Sequence, residues 1–79
     1  MTLDELNVNE SATIKAINCD SILKNRFYSL GIVKSSILTL KERTLTKSTL
    51  EIEINNSKIA LRLSEASKIE VEKIWIKLK

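Results

Sequence analysis

Five short runs of alternating apolar residues, one helical stretch after the first of them, and short connections throughout predict a mainly β fold. Its form is a small five-stranded β-barrel with one short helix after the first strand. The 79 residues allow a single domain, read as 1–79. Barrel closure, full or nearly so, removes the edges that an open five-stranded sheet would expose.

The chain opens with Thr2-Leu3-Asp4-Glu5-Leu6. Thr2 and Glu5 have the capping-box spacing, in which each side chain satisfies a backbone N–H freed at a helix start. One helical turn is expected there, with Leu3 and Leu6 packed down as a lid. After a turn over 7–11, Ala12-Thr13-Ile14-Lys15-Ala16-Ile17 alternates as a half-buried strand does. Ile17 falls off that register, so a bulge or the strand end belongs near it. Asp20 is the expected N-cap of the next element, because a carboxylate there also complements the positive end of a helix dipole.

The helix is expected over 22–30. Leu23, Phe27 and Leu30 recur at i, i+4 and i+7, one face of a helix. Gly31, the only glycine, fits the left-handed residue that ends it, since glycine has no Cβ to clash. Residues 37–41 are β-rich and mostly apolar, which suits a central strand. The connection over 44–48 has neither Gly nor Pro, and its threonines favour strands that run into it. Thr49-Leu50-Glu51-Ile52-Glu53-Ile54 and Lys58-Ile59-Ala60-Leu61-Arg62-Leu63 alternate strictly around Asn55-Asn56-Ser57, a hairpin signal because Asn tolerates positive φ. A helical turn capped by Ser64 is expected next, and Ile69-Glu70-Val71 resumes a strand. Ile74, Ile76 and Leu78 fall on the other register, so either a bulge lies at Glu72-Lys73 or the tail is apolar on both faces.

The net charge of +3 is unevenly spread: residues 1–20 carry −3, residues 21–50 carry +5 and the remainder +1. A basic central third attracts acidic protein, nucleic acid or anionic lipid; its plain alternative is a solvated lysine surface. With no histidine, neither a Ser-His-Asp nor a Cys-His arrangement can be built. A single glycine excludes phosphate-cradling loops. The acidic pairs Glu51/Glu53 and Glu70/Glu72 lie opposite the apolar positions, on what reads as a solvated face. No catalytic residue, metal ligand or cofactor is assigned, and an enzyme is not expected. Cys19, the only cysteine, suits a reducing compartment. The N-terminus lacks a signal-peptide layout and no apolar run reaches the ~20 residues needed to span a bilayer. A cytoplasmic protein without membrane insertion is the expectation.

What remains is binding. Trp75, in Ile74-Trp75-Ile76, is either an interface anchor or a plug for the barrel's open end. Arg26, Tyr28 and Arg62 complete the candidate partner-binding set. For Arg26, a partner contact and a structural pair weigh alike. For Arg62, a structural pairing with Glu65 or a backbone carbonyl is preferred to a partner contact.

Two motifs carry a family likeness. Arg26-Phe27 followed by Leu30-Gly31-Ile32, and Ile59-Ala60-Leu61-Arg62 followed by Glu65-Ala66 and the alternation of Ile69 and Val71, resemble the FeoA family. These are small proteins associated with bacterial ferrous iron uptake. Leu3-Asp4-Glu5-Leu6 and Glu10-Ser11-Ala12-Thr13-Ile14 resemble the family's first segment, so the similarity covers 3–72. Phe27, Leu30, Gly31, Ala60, Leu61, Glu65 and Ala66 are the positions of the matched motifs. The chain departs from the family pattern at Lys34-Ser35, where a Pro-Gly turn is usual, in the loop over 44–48, and at Asn9 and Asn56, where Gly is frequent.

The resemblance implies an SH3-like barrel and a family association with transition metal ions. It also implies an accessory or regulator of FeoB, the membrane permease with a cytoplasmic GTP-binding domain. Self-association stays open. The alternative is a small basic barrel that binds nucleic acid, against which the shortage of aromatic residues counts.

Overall fold

The structure is a computed structural model that describes residues 1–44 and 46–74. Trp75 therefore lies outside the described residues, as do Ile76 and Leu78. A 3-10 turn (Leu3–Glu5) precedes β1 (Ser11–Ile17), α1 (Ser21–Ser29), β2 (Ile37–Thr44), β3 (Thr49–Ile54), β4 (Ser57–Arg62), α2 (Leu63–Ala66) and β5 (Ile69–Lys73). The strands form one five-stranded antiparallel sheet in the order β4-β3-β2-β1-β5. The apolar run that begins β2 takes the central place, as its composition predicts. Phe27, Ile14, Leu38, Leu40, Ile52 and Leu61 are among the side chains that fill the interior.

The hairpin between β3 and β4 closes on Asn55 and Asn56, both with positive φ (52° and 65°), and six consecutive residue pairs follow without irregularity. That geometry matches the right-handed twist of the strands it joins. β2 and β3 pair out to Thr44 and Thr49, so the threonines do extend the strands. Two irregularities bend the sheet. One lies in β1 between Ile14 and Ala16 and the other in β2 between Leu40 and Glu42. The first restores Ile17 to the buried face. Of the two readings of the C-terminal register, the bulge at Glu72-Lys73 is absent, because β5 pairs continuously with β1 through Lys73; the tail over 75–79 lies outside the described residues.

Asp20 caps α1, its Oδ1 accepting from the Leu23 N–H at 2.8 Å. The helix ends as a full Schellman motif: the Ile32 N–H donates to the Phe27 carbonyl at 2.9 Å and the Gly31 N–H to the Tyr28 carbonyl at 3.0 Å. Gly31 takes φ +84°, which satisfies carbonyls the helix end would otherwise orphan. Phe27 and Ile32 are fully buried on either side of it. Leu30 is not part of that buried face. It is the C-cap residue and is 37% exposed, because the chain turns away from the core one residue before the i+7 position is reached.

The N-terminal lid forms as expected. Leu3 and Leu6 are completely buried, and the Thr2 N–H donates to Glu5 Oε1 at 2.6 Å. Arg43 fastens it from β2, its Nη2 donating to the Asp4 and Leu6 carbonyls at 2.8 and 2.5 Å. The irregularity at Leu40/Glu42 makes this possible, because it places Arg43 opposite Leu50 on the inward register. At the other junction, the helical turn starts at Leu63, so its cap lies two residues before the expected Ser64. Its cap position is Arg62, whose backbone N–H donates to Glu65 Oε1 at 3.0 Å. Carboxylate reach-back from the third helical residue does the work that a Ser hydroxyl was expected to do.

Candidate functional site

Glu65 is where the two sequence motifs meet. Its Oε1 accepts the Arg62 N–H, and its Oε2 forms an ion pair with Arg26 Nη1 on α1. One largely buried carboxylate thus ties the helix carrying Arg26-Phe27 to the turn that follows Ala60-Leu61-Arg62. The Ser29 hydroxyl, donating to the Arg26 carbonyl at 2.7 Å, holds the same helical turn. Arg26 is accordingly a structural partner of Glu65. The side chain of Arg62, expected to pair there, makes no ion pair with a described residue.

The segment that carries Arg26 is basic and exposes several apolar side chains. Residues 21–41 hold Lys24, Arg26, Lys34 and Lys41 and no acid. Ile22, Tyr28, Leu30, Val33 and Ile37 are all exposed, Ile22 by 83%. Tyr28 and Arg26 are two residues apart on α1, so they leave the helix on nearly opposite sides. The fold therefore brings Arg26 and Arg62 together at Glu65 and points Tyr28 elsewhere. Of the remaining motif positions, Phe27, Leu61 and Ala66 are buried in the core, and Ala60 faces outward on β4.

Sequence reasoning missed two contributors, Arg43 and the ion pair between Lys73 and Glu10. Glu10 also accepts the Asn7 N–H at 2.8 Å through Oε1. Those two interactions, Lys73 foremost, hold its carboxyl below the usual carboxylate range. Neither contributor has a local sequence signal, since each joins residues that the sheet alone makes neighbours. Among the described residues no group of three His, Cys, Asp or Glu side chains is placed to hold a metal ion. No described helix is long and apolar enough to cross a membrane.

At three positions where the sequence departs from the family pattern the backbone is left-handed. Asn9, Ser35 and Asn56, which stand where Gly is usual, all adopt positive φ (73°, 78° and 65°). The left-handed conformations are kept without the residue that adopts them most cheaply.

A five-stranded antiparallel sheet with a short helix after its first strand, Arg26 and Glu65 tying that helix to the turn before the last strand, defines a small SH3-like domain. The family model for the FeoA domain matches residues 1–73. The chain belongs to the FeoA family. It is 38% identical over 74 residues to "Putative Fe(2+) transport protein A" of Campylobacter jejuni, covering 94% of this chain and 100% of that one. A protein of the same name from Helicobacter pylori strain J99 is 43% identical over 67 residues, covering 84% and 86%. The zinc complex of FeoA from Stenotrophomonas maltophilia, described as a prokaryotic SH3 domain protein, superposes with a TM-score of 0.79 at 26% identity, covering 91% of this chain and 89% of that one.

Proposed function

We propose that this protein is a non-enzymatic accessory of bacterial ferrous iron uptake that acts in the cytoplasm by binding a FeoB-type permease. The observation that carries the reading is membership of the FeoA family along almost the whole chain, with relatives named for Fe(2+) transport. The fold supports a contact role: Ile22, Tyr28, Leu30 and Val33 are exposed, and the segment 21–41 that carries them holds Lys24 and Lys34 and no acid. Tyr28, Arg62 and Trp75 are the proposed contact residues. Arg26 contributes through Glu65.

Nucleic acid is the weaker reading. Of the described aromatic residues only Tyr28 is exposed, and one stacking group makes a poor platform for bases.

Co-purification of the tagged protein with the full-length permease in detergent tests the proposal. Association weakened by Tyr28→Ala supports it. Absence of association, together with unchanged ferrous iron uptake in a deletion strain, defeats it.

A further inference from the structure

Among the described residues no strand pairs with the outer edge of β4. The closing pair of a two-residue hairpin, Ile54 and Ser57, exchanges hydrogen bonds, and bonded and non-bonded pairs then alternate along the ladder. Lys58, Ala60 and Arg62 therefore turn their backbone N–H and C=O groups away from β3. The Arg62 N–H confirms the phase, since it reaches Glu65 Oε1 instead of β3. Glu65 blocks that last donor, and the groups of Lys58 and Ala60 pair with no backbone group among the described residues.

We propose that this edge accepts an extended acidic peptide segment of a partner protein as an added antiparallel strand. The charges choose the occupant. Lys58 lies opposite Glu53, but that carboxylate is engaged by Lys41 at 3.6 Å. Neither Lys58 nor Arg62 makes an ion pair with a described residue, and both are exposed. An incoming strand with acids opposite these two positions gains a charge at each end of its main-chain ladder. Ala60 between them presents no bulk, and Glu51 directly beyond it calls for an uncharged residue at the centre. A second copy of this chain is the wrong occupant. Antiparallel pairing about Ala60 sets Lys58 against Arg62 of the other molecule, basic against basic. The inference stands whether or not the partner is the permease.

The test is an NMR titration of the nitrogen-labelled protein with the blocked peptide Thr-Glu-Val-Thr-Val-Glu-Thr and, as control, Thr-Lys-Val-Thr-Val-Lys-Thr. The glutamate peptide is expected to shift the Lys58 and Ala60 amides and to slow their hydrogen exchange about tenfold. Added salt should weaken it, and the lysine peptide should leave these amides unchanged. Lys58→Glu, an exposed change that leaves the core untouched, should reduce the glutamate peptide's effect. The proposal is overturned by equal response to both peptides, by shifts centred on α1 or β5, by dimerisation through β4 without peptide, or by no shift at ~1 mM peptide, where even weak sites register.

Discussion

At β5 the outermost strand is covered by chain from the other end of the molecule. The Val71 N–H donates to the Met1 carbonyl at 2.8 Å, Thr2 bridges Glu70, and Leu3 and Leu6 plug the core beneath. Arg43 pins that cover and Glu10 holds Lys73 at the strand's far end. β4, the other edge, has among the described residues only a Glu65 carboxylate at one N–H, with Lys58 and Arg62 exposed along its length. Both devices suppress edge-to-edge aggregation, but they act differently. Covering an edge buries it and adds stability. Charging an edge leaves it open to a partner of opposite sign.

This contrast can be broken experimentally. The largest effect is expected from Leu3→Ala, which should cost ~2–5 kcal/mol in urea unfolding because it empties a fully buried site under the β5 cover. A loss well below that range would mean the N-terminal turn is decoration. Gly31→Ala comes next, at about 1 kcal/mol or more, since φ +84° strains any Cβ. The new methyl would also sit 3.1 Å from Asn55 Nδ2 in the turn that starts β4, a side chain that must move by a few tenths of an ångström to admit it. An unchanged denaturation midpoint would contradict the helix end described above.

On the β4 side, Glu65→Ala should cost less than about 1 kcal/mol, because its ion pair with half-exposed Arg26 is screened by solvent. Its sharper signature is local: the Arg62 amide, released from its acceptor, should exchange faster while Val71 stays protected. If both amides respond alike, the two edges are not independent. The smallest expected effect is that of Glu10→Gln at the β5 edge, and it depends on pH. A carboxyl held lower in the folded than in the unfolded state adds stability above its unfolded value and loses it as pH falls through the folded one. Glu10→Gln should therefore lower the urea midpoint slightly near neutral pH. The variant and the parent should converge once the medium is acid enough to protonate Glu10 in the folded protein. A difference that persists or grows on acidification would rule out this role.

How much could be read in advance follows the range of each interaction. The Thr2/Glu5 cap, the Asp20 N-cap, the Gly31 helix stop and the Asn55-Asn56 hairpin all depend on residues within a few positions of one another, and all are found where expected. Leu30 departs from the helical periodicity because the Schellman end bends the chain out of register there. Ser64 lost the cap position because a carboxylate three residues past Arg62 could reach back to its N–H. The pairing of Arg26 with Glu65 spans 39 residues, and neither residue's neighbours predict it.

Alternation, caps and one glycine, acting through local sterics and hydrogen bonding, by themselves determined that this chain makes five strands and a helix in this order. Only the tertiary structure decided which arginine Glu65 would hold, which strand edge would be buried and which left open. Those outcomes depend on through-space distances and on two strand irregularities. One of these turns Arg43 from the surface to the carbonyls of the N-terminal turn, a shift of one register position that alternation alone does not reveal.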